Sequence, residues 1–137
     1  MLQLLWWTDD LKTGIKHIDE EHKSIFDKVG MILDLSNTTD LETIEDVWTF
    51  LSDYVIQHFS HEEAVMFKNH YENFAHHRDE HSYFIKQLYG LYNSSSEYGL
   101  NNHIIDELKF LILDWLINHI NQEDRALAQF LQQNDCH

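Results

Sequence analysis

Apolar residues recur every three or four positions along most of the chain, which is the period of an amphipathic helix. The pattern predicts four main helices, at residues 18–35, 41–67, 72–92 and 102–120. A leader at 1–17 precedes them, and 121–137 forms a short terminal helix and tail. Short loops between successive helices make neighbours antiparallel. We therefore predict an all-α fold, an antiparallel up-down four-helix bundle formed by 18–120 within a single domain of residues 1–137.

Polar side chains interrupt the apolar stripe of every predicted helix. They are five histidines and one carboxylate, distributed in order over the four helices: His22, then His58 and Glu62, then His77 and His81, then His119. Residues four apart lie on one face of a helix, so each of the two close pairs can hold a single object from one side. A buried carboxylate is costly without a positive partner. The pattern predicts a metal site inside the bundle.

Other histidines and carboxylates near these positions are assigned by helix face. His77 continues the stripe of the third helix and pairs with His81, whereas His76 leads to Glu80, so we favour His77 as the ligand. Glu63 lies about 100° round the helix from Glu62, which favours a solvated surface charge. A lone histidine on an apolar face, such as His22, is by itself more typical of an ordinary core residue.

Asp124 completes a set of seven candidate ligands with the six residues above. One ion cannot use five imidazoles and two carboxylates. Two ions can, if each carboxylate bridges both metals at a separation of about 3.5–4 Å. Imidazole suits several transition metals, and bridging carboxylates favour iron or manganese. Two divalent ions bring a charge of about +4, which two carboxylates and a hydroxide or oxide bridge largely neutralise.

Asp124 poses a geometric problem because it follows His119 by five residues. In a regular α-helix five residues advance about 500°, which leaves the second side chain about 140° away from the first. Both side chains cannot then face one metal pair. We therefore expect the helix to break, to widen into a π-like turn or to restart between them.

Composition narrows the function class. The absence of proline and a count of four glycines suit long helices. Nine basic against 24 acidic residues give a formal charge of −15, which argues against nucleic acid and anionic membrane surfaces as partners. Cys136 is the one cysteine, so it forms no internal disulfide and fits a reducing compartment. We find no signal peptide or membrane-length apolar run and expect a cytoplasmic protein.

The chain resembles the hemerythrin family, specifically single-domain bacterial hemerythrins. Five segments carry the resemblance, in this order: WTDD at 7–10, GIKHIDEEHK at 14–23, HFSHEEAVM at 58–66, HRDEH at 77–81 and WLINHINQED at 115–124. A lone HxxxH is a weak signal. These five segments, in this order, are distributed over nearly the whole chain and are highly specific.

The resemblance implies a non-haem di-iron centre with an oxo or hydroxo bridge. His77, His81 and His119 would hold one iron, which is then coordinatively full. His22 and His58 would hold the other iron and leave a position open for dioxygen, with Glu62 and Asp124 bridging both. The implied function is reversible dioxygen binding for storage, delivery or sensing, with dioxygen as the partner and a monomer as the expected state.

Two other function classes compete with an oxygen carrier. A di-iron enzyme, such as an oxidase, a peroxidase or a nitric-oxide-handling protein, is the first. Di-iron oxygenases built on four-helix bundles use carboxylate-rich sites, whereas imidazoles dominate here, which favours binding over oxidation. The second is a structural zinc site or a set of accidental histidines, which seven ligands on buried faces argue against.

Overall fold

Long helices arranged as a bundle make up the computed structural model, which describes residues 11–133. The first helix is Lys16–Leu33 and the third is Phe74–Tyr98. The second is continuous through three segments, Leu41–Thr49, Phe50–Val55 and Ile56–Lys68, the middle one a π-helix. The fourth runs without a break through Asn102–Phe110, Leu111–Ile117, Ile120–Asp124 and Arg125–Gln133. The predicted all-α helical bundle is confirmed, and residues 11–133 contain no strand.

Side-chain caps begin two of these helices. Asp40 caps the second helix by accepting a hydrogen bond from the backbone N–H of Thr43. Asn101 caps the fourth helix in the same way, accepting from the N–H of Ile104. Such caps satisfy backbone donors that the first turn leaves free.

The third helix is longer than the sequence pattern indicates. We expected a loop at 93–102, but the helix continues through the serines to Tyr98 and stops at Gly99, whose φ of 80° lies outside the helical region. Serine lowers helix stability only modestly. The helix therefore ends where glycine allows the chain to turn.

Two apolar clusters divide the interior along the length of the bundle. The larger contains Ile25, Phe59, Phe84 and Ile117 among its members. The smaller contains the following buried residues: Ile15, Ile18, Met66, Tyr71, Leu127 and Leu131. All four helices contribute residues to the larger cluster. Each helix also has at least one residue that belongs to the smaller cluster or packs against it. The predicted ligands lie between the two clusters, so a polar layer separates two apolar ones.

No helix within residues 11–133 combines the length and the apolar content needed to cross a membrane.

A buried histidine and carboxylate cluster as the candidate metal centre

All seven predicted ligands are buried and lie together between the four helices. None has more than 3% of its surface exposed, although histidine, glutamate and aspartate are seldom fully buried. Ligand atoms of these residues fall into two groups, each with its atoms within 4.8 Å of one another. One group is Glu62, His77, His81, His119 and Asp124, and the other is His22, His58, Glu62 and Asp124. The two carboxylates are the members that the groups share.

Glu62 directs one oxygen at each group. Its Oε2 lies 3.0 Å from His22 Nε2 and 3.5 Å from His58 Nε2. Its Oε1 lies 3.2 Å from His81 Nε2 and 3.5 Å from His77 Nε2. A carboxylate placed this way can bind two cations, one with each oxygen.

Asp124 repeats this arrangement from the fourth helix. Its Oδ2 lies 3.1 Å from His22 Nε2, while its Oδ1 lies 2.9 Å from His77 Nε2 and 3.3 Å from His119 Nε2. The segment Ile120–Asp124 is a π-helix, so the widened turn that we expected is confirmed. Hydrogen bonds in a π-helix join residues five apart, and this spacing brings the two side chains to one face.

Several nitrogens and oxygens of the cluster lack a hydrogen bond despite being close to one another. Among the described residues these atoms include Nε2 of His58, His77, His81 and His119, together with Oε1 of Glu62 and both carboxylate oxygens of Asp124. Their separations of about 3 Å are those of ligands around a common ion, but their angles are not those of hydrogen bonds. Buried polar atoms are normally satisfied, so the donor set fits cations placed among these atoms.

The pKa values of the cluster residues indicate that the cluster favours bound positive charge. Burial lowers the pKa of His22, but the carboxylates of Asp124 and Glu62 outweigh it and raise that pKa to about 10. Burial also lowers the pKa of His77, but the same two carboxylates outweigh burial and raise that pKa to about 10. Burial raises the pKa of Glu62, but His58, His22 and His77 hold it well below its usual range. Without metal, protons on imidazole therefore supply the charge that cations would replace.

Glutamates outside the cluster hold the second ring nitrogen of three of its histidines. Glu21 Oε1 lies 2.8 Å from His58 Nδ1. The other oxygen of Glu21 lies 2.6 Å from Nδ1 of the half-exposed His61. The imidazoles of His58, His81 and His119 can each donate Nδ1–H to an outer glutamate, which directs the Nε2 lone pair into the cluster.

Glu63 and Glu80 act in the same way on the other group. Glu63 Oε2 lies 2.9 Å from His81 Nδ1, and Glu80 Oε1 lies 3.2 Å from His119 Nδ1. Our interpretation of Glu63 as a solvated surface charge is therefore wrong. Glu63 does point away from Glu62, as its position on the helix predicts, but His81 of the third helix packs against it.

Aromatic rings cover two of the imidazoles. Phe59 stacks on His81 with ring centroids 3.9 Å apart and planes inclined by 6°. Trp115 stacks on His119 at 4.7 Å and 8°. These rings limit the space open to water next to the group that contains His77, His81 and His119.

The adjacent residues His76 and His77 of the third helix differ in their exposure. His77 is fully buried in the cluster, whereas the side chain of His76 is 54% exposed and its Nε2 lies 3.1 Å from Glu123 Oε1. His70 and His103 are exposed as well.

This combination of a helical bundle and a buried imidazole and carboxylate cluster defines a cation-binding protein. A family model described as the hemerythrin HHE cation binding domain matches residues 13–131. The chain belongs to the hemerythrin family.

Individual relatives support the same assignment. A bacteriohemerythrin of Pseudomonas paraeruginosa is 35% identical over 134 residues, which cover 95% of this chain and 83% of that protein. A bacteriohemerythrin of Methylococcus capsulatus is 32% identical and is covered to 98% of its length, with 96% of this chain matched. A crystal structure of wild-type hemerythrin has a TM-score of 0.73 at 30% identity and covers 90% of this chain and 95% of that one. Family and cluster together indicate a non-haem iron protein that binds oxygen.

Proposed function

We propose that the chain binds dioxygen reversibly at a di-iron centre held by the seven buried residues. The observation that carries this proposal is the division of the cluster into two groups that share Glu62 and Asp124. Each of the two groups could hold one cation, and the two shared carboxylates, with one oxygen toward each group, could bridge the two cations. Two ferrous ions would supply the electrons for reversible dioxygen uptake.

The two groups are unequal, which assigns them different roles. His77, His81 and His119 with both carboxylates would fill the coordination sphere of one iron. His22 and His58 with the same carboxylates would supply fewer ligands to the other iron and would leave a position there for dioxygen. Oxygen would then be held at a single iron, on the side of the cluster toward the first two helices.

The surroundings of the cluster favour release of oxygen over further chemistry. Among residues 11–133, Asp19 is the remaining buried acidic side chain, and Thr13 and Gly14 donate hydrogen bonds to it. Within residues 11–133, therefore, no spare buried carboxylate is placed to deliver protons to bound oxygen. Apolar side chains on both sides of the polar layer restrict water, which also slows proton delivery.

An anaerobic oxygen titration tests the proposal. The reduced protein should contain two irons per chain, take up about one dioxygen per iron pair, gain visible absorption and return to the reduced form when oxygen is removed. Rapid irreversible oxidation with release of hydrogen peroxide, or catalytic turnover of an added reductant or of nitric oxide, would instead place the protein among di-iron enzymes. Storage, delivery and sensing all use the reversible reaction.

A further inference from the structure

A second group of histidine and carboxylate side chains lies on the surface, outside the buried cluster. It consists of His76 and Glu80 of the third helix and Glu123 of the fourth, with ligand atoms within 4.8 Å of one another. His76 and Glu80 are four residues apart and share a helix face. His76 Nε2 lies 3.1 Å from Glu123 Oε1, so the group links the two helices.

We propose that this surface group is a further cation site, which takes a divalent ion of the zinc or ferrous class outside the buried cluster. One imidazole nitrogen and two carboxylates form a three-ligand set that such ions accept, with water completing the coordination. The exposure of His76 makes the site accessible from solvent, whereas ions in the buried cluster are enclosed by the four helices.

The surroundings of the group favour a cation. An open cleft of about 450 Å³ adjoins it and is lined by His76, Asp79, Glu80, Tyr83 and Trp115. None of these lining residues is a lysine or an arginine, and Asp79 adds a carboxylate, one oxygen of which lies 3.6 Å from Nη2 of Arg78. The formal charge of −15 on the whole chain raises the local concentration of cations further.

Glu80 can serve the surface group and the buried cluster at the same time. Its Oε1 lies 3.2 Å from Nδ1 of His119. A carboxylate has two oxygens with two acceptor positions each, so the second oxygen remains available to a cation. Glu80 is therefore a direct connection between the proposed surface site and a proposed iron ligand.

A simple hydrogen bond between helices is the alternative explanation for this group, and the chain provides a matched control for it. His103 and Glu107 are also four residues apart on an exposed helix face, 3.9 Å from each other. They belong to none of the groups of three or more ligands found among the described residues. Replacing His103 removes a comparable surface histidine without affecting the proposed site.

Zinc titration by calorimetry tests the proposal on three forms of the iron-loaded protein: wild type, His76→Ala and His103→Ala. All three retain the seven buried residues, so any zinc that enters the buried cluster contributes equally to each. We expect wild type and His103→Ala to bind one more zinc ion per chain than His76→Ala. Equal zinc binding by wild type and His76→Ala, or the same loss in both variants, would overturn the proposal.

Crystals soaked in zinc give the location directly. Anomalous scattering should place a zinc ion between His76, Glu80 and Glu123 in the wild type and not in His76→Ala. Surface zinc bound elsewhere, with none at this group, would contradict the proposal. Neither experiment depends on dioxygen binding, so the surface site can fail while the di-iron proposal stands, and the reverse also holds.

Discussion

His119 and Asp124 are five residues apart on the fourth helix, yet His119 Nε2 and Asp124 Oδ1 lie only 3.3 Å from each other. The π-helix Ile120–Asp124 makes this possible by placing five residues where an α-helix places about four. Arg125–Gln133 then continues as an α-helix, with Leu127 and Leu131 buried. The π-helix therefore accommodates the additional residue before the α-helix resumes.

Deletion of Gln122 tests this role of the π-helix. Gln122 is exposed and lies between the two ligands, so its removal should convert the segment to an α-helix with the ligands four apart. We expect most of the iron to be retained, as measured by metal analysis. Deletion of the exposed Asp79 is the control, because it turns His81 and the rest of the third helix by about 100° relative to His77 and should remove most of the iron. Equal loss in the two deletions would contradict this account.

Replacement of neighbouring histidines distinguishes the buried and surface faces of the third helix. His77→Ala should lower iron occupancy, because it leaves the carboxylates of Glu62 and Asp124 short of a partner. His76→Ala should leave the occupancy of the buried cluster unchanged at two irons per chain, because its side chain points to solvent. Loss of the visible absorption of the buried iron pair in His76→Ala would show that the ligands of this helix are shifted by one position, whereas loss of a surface-bound ion alone would not.

The outer glutamates should control how tightly the iron is held. Glu21→Gln preserves the shape of the side chain but removes the charge next to His58 and His61. Loss of such an outer partner typically weakens metal affinity by about 10–100-fold. We expect faster iron release to a chelator, followed by absorbance. Glu20→Gln is the matched control, since Glu20 is exposed and pairs with Lys16; similar release rates from both variants would rule out a specific role for Glu21.

The iron-free protein should lose thermal stability as the pH rises above neutrality. The pKa values of His22 and His77 are raised from 6.5 to about 10 in the folded protein. Stability from these protons is fully present below about pH 6.5 and is lost as the pH rises through about 10. The melting temperature of iron-free protein should therefore fall over this interval.

Metal binding should show the reverse trend with pH. Cations displace these protons, so iron affinity should increase over the same interval and binding should release protons. Iron-loaded protein, in which the imidazoles bind metal, should have a flatter stability profile and serves as the control. A constant or rising melting temperature of the iron-free form would contradict the prediction.

The helical pattern predicted the inward-facing residues well because burial repeats with the period of the helix. The positions of His22, Glu62 and His77 follow from this period alone. The irregular spacing of Asp124 predicted that the helix would break, widen into a π-like turn or restart, and the structure has the π-helix. The pattern could not predict the π-helices Phe50–Val55 and Leu111–Ile117, since neither contains a spacing conflict that is visible in the sequence.

The outer glutamates were missed because their roles depend on contacts between helices. Glu21, Glu63 and Glu80 each directly precede or follow a cluster residue in the sequence. That position turns a side chain about 100° away from the cluster, toward the neighbouring helix. The adjacency is a usable signal, but the partner histidine becomes evident only once the helices are packed.

Trp115 is the side chain expected to protect the cluster from water on the side of the fourth helix. It stacks on His119 and also lines two surface clefts, so it lies between solvent and the cluster. Trp115→Ala should admit water and protons, and the oxygenated protein should oxidise faster in air. Replacement of a fully buried tryptophan by alanine typically costs about 3–5 kcal/mol of stability. Trp115 is partly buried, so Trp115→Ala should cost less.

Two variants separate loss of this barrier from general destabilisation. Trp115→Phe keeps an aromatic ring over His119 and should largely preserve the lifetime of the oxygenated form. Tyr83→Ala removes a half-exposed ring that lines the same two clefts without covering a cluster histidine. The decay of visible absorption in air should be fastest in Trp115→Ala and close to wild type in the other two. Equal decay in Trp115→Ala and wild type would mean that water reaches the iron by another route, and the first two helices, which carry His22 and His58, would then be the side to examine.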